Sequence, residues 1–352
     1  MIQSELIVER RGRAGRITLN RPRALNALTH SMILGLTDAL LAWRDDAGVD
    51  LVVIDGAGGR AFCAGADIKA LYQQGQGGER DRAEQFFRDE YRLNALIRSY
   101  GKPYVAMIDG VTMGGGVGIS VHGSHRVATE RTLLAMPETG IGLFPDVGMT
   151  YVLPRLPDHA GMWLGLTGAR LDGAAACALG LATHYTSSDR LAELIVALEA
   201  DGVTALKAWA SKPADPLAQR RAEIADAFGR NGLKAIVAAL DAGSASGSEW
   251  AGEQAKILRA MSPTSLAIAY EALKRGGDAP FANCMRKELR MAARCLAGHD
   301  FYEGVRAQVV DKDRAPRWRP DSLEGVSKQD IDAYFAPLPE GRELEFINRN
   351  RV

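Results

Sequence analysis

The stretch YVAMIDGVTMGGGVGIS, residues 104–120, decides the architecture. Its first part, YVAMIDG (104–110), is a short apolar run and reads as a buried strand. Three consecutive glycines follow at 114–116, and a helical stretch follows them. Glycine costs about 1 kcal/mol at each helix-interior position, so three in a row need a reason. Close packing of helix against strand is one reason. The other is a helix N-terminus whose bare amide hydrogens face negative charge.

The same pattern recurs on either side. LVVIDG (51–56) reads as another buried strand, and AFCAGADIKALY (61–72) turns from it into a helix. In CAGADIK (63–69) the small residues allow close approach to the backbone, although a plain tight loop would use them too. LIVERRGRAGRITLN (6–20) predicts two strands around a glycine turn. Thr29 is placed to cap a helix to about Arg44, with Ile33, Leu36, Leu40 and Trp43 on one face. A further helix is expected over 83–99, and strands at HRVATE (125–130) and TLLAMP (132–137). QQGQGGERDR (73–82) reads as a mobile loop. Residues 1–190 thus repeat strand, glycine-rich turn and helix, an α/β pattern with ligands expected at the turns. Residues 191–352 are expected to be mainly helical, with DAGSASGSEW (241–250) as a candidate linker.

Composition narrows the function classes. The 352 residues are 47% hydrophobic, enough for a large core. Forty-three basic residues balance 43 acidic ones, so nothing suggests a nucleic-acid or acidic-membrane surface. No apolar run reaches the roughly 18 residues of a membrane span, and the first residues lack a signal-peptide core. Four scattered cysteines and six unpaired histidines predict no disulfide framework and no metal site. A cytoplasmic enzyme or binding protein is the expectation.

Carboxylates come next. AMPETGIGLFPDVG (135–148) sets Glu138 and Asp146 in an apolar, bent segment. A dry wall raises the basicity of a carboxylate, which suits catalysis. Each could instead be a turn or helix-cap residue. Glu90, in FFRDEYRLNALIR (86–98), falls on the inner face marked by Phe86, Leu93 and Ile97. A carboxylate there is either functional or paired with an arginine.

At these residues the chain resembles the crotonase (enoyl-CoA hydratase/isomerase) superfamily. ITLNRPRALNAL (17–28), AFCAGADIKALY, IDGVTMGGGVGIS and MPETGIGLFPDVG are its signature blocks, in family order. It looks most like the 3-hydroxyisobutyryl-CoA hydrolase branch, a likeness that continues through SPTSL (262–266) and GHDFYEGVRAQVVDKDRAPRWRP (298–320). The resemblance implies a ClpP/crotonase-like spiral of repeated β-β-α units with a helical C-terminal region. It implies acyl-CoA thioester substrates, no separate cofactor, no metal, no nucleic-acid or membrane partner, and a trimer or hexamer as the assembly.

Carried over by motif, the amides of Ala66 and Gly115 would form an oxyanion hole. Glu138 and Asp146 would be catalytic, and Glu90 and Gly114 would contact the acyl group. Arg23, Ala64, Asp67, Ile68 and Lys69 would contact coenzyme A. Related hydratases carry a second glutamate two residues after the three glycines, where this chain has Gly118. Hydration needs a second group to handle a proton, so Gly118 favours thioester cleavage. Glu138 would then activate a water or attack the carbonyl itself. An enoyl-CoA hydratase or isomerase, and a non-catalytic acyl-CoA binder, are the competing readings. PDVGMTY (145–151) departs from the hydrolase pattern at Met149, where relatives often have glycine, and this bears on the acyl pocket.

Overall fold

Successive side chains of a strand point to opposite faces, and in LVVIDG both faces are covered. Leu51 and Val53 pack with Leu191, Leu194 and Leu198 of the helix Leu191–Asp201. Val52 and Ile54 pack into the main core with Ile17, Ala106 and Ile108. All four side chains are buried. Fully burying a Val or Ile is worth about 1.5–3 kcal/mol, so this strand is a strong nucleus for the sheet.

The computed structural model describes residues 4–209, 211 and 213–347. The strands are β1 Leu6–Arg11, β2 Ala14–Leu19, β3 Leu51–Gly56, β4 Ala61–Cys63, β5 Tyr104–Ile108, β6 Val111–Met113, β7 His125–Ala128, β8 Leu133–Ala135, β9 Leu171–Asp172 and β10 His184–Tyr185. They form a six-stranded sheet, β1-β2-β3-β5-β7-β10, and a four-stranded sheet, β4-β6-β8-β9. Among the strand pairs of the described residues, only β1–β2 and β8–β9 are antiparallel. Each pair β3–β4, β5–β6 and β7–β8 gives one strand to each sheet before the chain turns helical. This is the expected repeat of β-β-α units.

Local expectations are met at most elements. The β1–β2 hairpin turns at Gly12, whose φ of 58° is the left-handed region glycine tolerates. Thr29 accepts the Met32 N–H at 3.2 Å and caps the helix His30–Arg44. Two stretches differ. Residues 73–82 belong mostly to the helices Ile68–Gln76 and Arg80–Arg98, joined by a short turn. Gly75 serves packing, since a Cβ there would collide with the Tyr302 ring. Residues 241–250 form the end of the helix Leu233–Ala245, a turn, and the start of Glu249–Ala260, which Ser248 caps. That segment is a helical hairpin, and the two helices pack on each other.

Beyond residue 188 the described chain is mainly helical. Residues 1–3 and 348–352, at the outer ends of the two expected regions, lie outside the described residues. The C-terminal helices close over the strand-to-helix turns. The helix Phe281–Cys295 packs on Arg80–Arg98, and His299–Val305 packs on the turn Glu138–Ile141. The SPTSL motif joins them: Ser262 N–H donates to Thr139 O at 3.2 Å, and its hydroxyl donates to Asp300 at 2.6 Å. Among the described residues no helix is long and apolar enough to cross a membrane.

Candidate active site

Three parallel strands of the smaller sheet end side by side, and each delivers one part of the site. β4 runs into the turn Ala64–Asp67, β6 into Gly114–Gly115, and β8 into Met136–Glu138. Carboxyl ends of parallel strands are where α/β sheets open to ligands. Asn26 fixes this corner from below, donating to Ala57 O at 3.0 Å and Ala61 O at 2.9 Å. The turn at 64–67 leans on the loop before it through Leu28 N–H to Gly65 O, 2.8 Å.

The two glycine turns touch. A Cβ on Gly65 would lie 3.5 Å from the Gly115 nitrogen, and one on Gly115 would lie 3.4 Å from the Ala66 nitrogen. Neither the Ala66 nor the Gly115 N–H donates a hydrogen bond among the described residues. Gly115 opens the helix Gly115–Val121, so its free amide carries the positive end of that helix. Gly114 has φ 49° and ψ −121°, a conformation for glycine alone.

Two carboxylates reach these glycines, and Asp146 lies close enough to raise the pKa of both. A Cβ on Gly114 would sit 2.8 Å from Glu138 Oε1, and one on Gly115 would collide with Glu90 Oε1. Glu90, Glu138 and Asp146 are only 1%, 6% and 3% exposed. Glu138 Oε2 and Glu90 Oε1 have no hydrogen-bond partner among the described residues, and Glu90 forms no ion pair with an arginine. Asp146 does not cap a helix with its side chain. It accepts the Tyr91 hydroxyl at 2.7 Å instead.

Burial and mutual repulsion govern the charges here. Burial, then Asp146 and Glu138, hold the Glu90 carboxyl well above its ordinary range. Burial, then Asp146, do the same for Glu138. Burial pushes Asp146 up to about 7, with the Tyr91 hydrogen bond working against it. The cluster therefore holds protons near neutrality.

The other expected contacts sit around the same turn. Ala64 and Ile68 are half-buried. Asp67 caps the helix Ile68–Gln76 by accepting the Ala70 N–H at 3.3 Å, and it pairs with Arg21 at 3.0 Å. Its side chain thus has a structural task. Arg23 and Lys69 are exposed, with no ion pair among the described residues. A cavity of about 230 Å³ is lined by Leu28, His30, Asp67, Gln74 and Phe86, so it reaches the residue after Ala66 but neither amide itself. Larger cavities, the biggest of about 650 and 680 Å³, are lined by none of the three carboxylates. Chemistry, not volume, marks the site.

Four residues escaped the sequence reading. Tyr91 looks like a core aromatic until its hydroxyl is placed. Asn94 is fully buried with neither amide atom hydrogen-bonded among the described residues. His122 Nε2 donates to Val147 O at 2.6 Å, and burial pushes its pKa down to about 4. Glu288, on the helix Phe281–Cys295, accepts the Gly148 N–H at 2.7 Å and the Thr150 N–H at 3.1 Å. Burial pushes it up to about 8. Its one signal was a carboxylate at helical spacing between Cys284 and Ala292.

Gly118 is packed tight. A Cβ there would lie 2.6 Å from Val147 Cβ and 3.0 Å from Asn94 Nδ2. Met149, expected near the acyl pocket, is fully buried, and its N–H donates to Asp146 O at 2.9 Å.

Known proteins are similar to this chain along nearly its whole length. The 3-hydroxyisobutyryl-CoA hydrolase, mitochondrial, of Danio rerio is 45% identical, over 97% of this chain and 92% of its own. The human protein of the same name is 42% identical, over 95% and 89%. Two crystal structures superpose closely. A carnitinyl-CoA dehydratase from Mycobacterium thermoresistibile has a TM-score of 0.92 at 42% identity, covering 98% of this chain and 99% of that one. An enoyl-CoA hydratase from Rhodobacter sphaeroides has 0.91 at 41%, covering 97% and 100%. The profile of the Enoyl-CoA hydratase/isomerase family matches residues 14–335, from the second strand through the helix Lys328–Phe335. With its β-β-α repeats and its paired glycine turns, this chain belongs to that family.

Proposed function

We propose that the protein hydrolyses a short 3-hydroxyacyl-CoA thioester, 3-hydroxyisobutyryl-CoA foremost, to the free acid and coenzyme A. The packing at Gly118 carries the choice of hydrolysis over hydration. Val147 and Asn94 occupy the space a second glutamate would need. The names of the hydrolase relatives support the same choice, whereas those of the two crystal structures point to hydration or dehydration.

In this reading the thioester oxygen docks between the Ala66 and Gly115 amides. Charge builds on it only as the carbon is attacked, and each such donor is worth about 3–4 kcal/mol in rate. Glu138 activates a water, or attacks to give an anhydride that water opens. Either way the C–S bond breaks, water supplies the acid's new oxygen, and the thiolate takes a proton from the carboxyl cluster. Asp146, held by Tyr91, hydrogen-bonds the 3-hydroxyl or the water, and Glu90 positions the same polar end. Arg23 and Lys69, exposed near the turn, face the phosphates of coenzyme A, with Ala64, Asp67 and Ile68 along the nucleotide's path. Metal and further cofactor have no role in this scheme. A trimer or hexamer in the cytoplasm completes the proposal, although the hydrolase relatives are named as mitochondrial.

The test is a thiol-release panel on purified protein: 3-hydroxyisobutyryl-, 3-hydroxypropionyl-, isobutyryl- and acetyl-CoA. The 3-hydroxy compounds should exceed their deoxy analogues by roughly tenfold in kcat/KM, the worth of one hydrogen bond. No thiol from any 3-hydroxyacyl-CoA would remove the proposal.

A further inference from the structure

Asp146 sits on a loop with little reason of its own to hold one shape. Its neighbour Val147 has φ 50°, a strained conformation for a β-branched residue. The short helix Met149–Val152 starts from Gly148, which offers no side-chain cap. The Met149 amide finds Asp146 O, but those of Gly148 and Thr150 would be left without acceptors in a buried place, a cost of about 1–3 kcal/mol each.

Glu288 supplies those acceptors from 138 residues away. Its carboxylate takes the Gly148 N–H at 2.7 Å and the Thr150 N–H at 3.1 Å, and the Thr150 hydroxyl donates to it as well. It is fully buried and pairs with no cation among the described residues. On the other side, His122 Nε2 donates to Val147 O, and Tyr91 donates to Asp146. Tyr91 and Glu288 on two helices, and His122 at the end of a third, thus hold three consecutive residues, Asp146 to Gly148.

We propose that Glu288 is a positioning residue: by capping the Gly148–Thr150 turn from the C-terminal helical region, it fixes the strained loop that aims Asp146 at the substrate. The inference rests on the reading of Asp146 as a catalytic carboxylate. It makes the C-terminal region part of the machinery and not merely a cover. The helix Phe281–Cys295 also packs on Arg80–Arg98, which carries Glu90 and Tyr91, so one helix braces two sides of the carboxyl cluster.

Two variants separate positioning from plain stability. Glu288→Leu keeps the approximate volume and removes every acceptor. Glu288→Gln keeps one acceptor and offers an N–H to the Thr150 oxygen. With 3-hydroxyisobutyryl-CoA, Glu288→Leu should lower kcat by about 100-fold through misplacement of Asp146. KM should stay within about threefold. Glu288→Gln should retain kcat to within about tenfold, and Thr150→Val should lose about as much as Glu288→Gln. Hydrogen exchange is read in parallel, on the segment 144–152, and needs no activity. Faster exchange there in Glu288→Leu, with the rest of the chain unchanged, supports the cap. A folded Glu288→Leu with wild-type kcat and unchanged exchange overturns it. If Glu288→Leu does not fold, Glu288→Gln and Thr150→Val decide: wild-type kcat and exchange in both overturns it. A wild type that releases no thiol counts against the hydrolase reading, while exchange at 144–152 still judges the cap.

Discussion

Tyr91 donates its hydroxyl to Asp146 Oδ2 at 2.7 Å, and both side chains are buried. The bond links the helix Arg80–Arg98 to the loop after β8, across 55 positions of sequence. It also favours the charged form of Asp146 against the burial that opposes it.

Tyr91→Phe removes that donor and little volume. A hydrogen bond to a charged group is worth about 1.5–3 kcal/mol, so kcat should fall roughly 10- to 100-fold. The sign of the pH effect follows from the same bond. Without the donor the Asp146 pKa rises, so the acid limb of the kcat profile moves to higher pH. A profile of kcat from pH 5 to 9 for both proteins checks this, and a limb that stays or moves down contradicts it.

Glu138→Gln should abolish turnover, by about a thousandfold or more, because both routes through Glu138 need its carboxylate. Coenzyme A affinity, read by calorimetry, should change little, since the amide keeps the shape of the acid. Comparable loss of both would indicate damage to the pocket.

Asp146→Asn tests the charge cluster through stability. The folded protein raises Asp146 to about 7 from an unfolded value of about 3.9. A raised carboxyl binds its proton better in the folded state. The stability this gives is fully present below about pH 4 and is lost as pH rises through about 7. Asparagine does not titrate, and its neutrality also lowers the Glu90 and Glu138 values, which Asp146 raises. Asp146→Asn should therefore gain stability relative to wild type as pH goes from 4 to 8. Urea unfolding at several pH values measures it, and a pH-independent difference would count against the buried cluster.

Gly118→Ala should cost about 1–3 kcal/mol of stability, because even a methyl there meets Val147 at 2.6 Å. Gly118→Glu should be worse still and should gain no hydration of crotonyl-CoA. A stable Gly118→Glu protein that hydrates enoyl-CoA would show that the space is not closed.

Much of this was legible in the sequence because the key parts lie in short local signals. The glycine turns at 63–69 and 113–118 and the run holding Glu138 and Asp146 each follow a strand of strong apolar pattern, so strand ends and site coincide. Glu288, Tyr91 and His122 were not legible, since each bonds a residue far away in sequence, and Asn94 bonds none among the described residues. Tyr91 sits among core aromatics, and Glu288 lies in RKELR (286–290), where charges look solvated. The stretch 73–82 read as a loop because its three glycines weaken helix propensity and it carries no apolar face. Packing of Gly75 on Tyr302 overrides that. At Asp67, sequence placed the residue beside coenzyme A, and the fold uses its side chain as a cap and as a partner for Arg21.

The most direct measurement follows two signals in parallel, free thiol from 3-hydroxyisobutyryl-CoA and enoyl absorbance with crotonyl-CoA, for wild type and Glu138→Gln. Wild type should release thiol rapidly and Glu138→Gln none, with little change in enoyl absorbance for either. Loss of enoyl absorbance without thiol release would contradict the proposed hydrolysis.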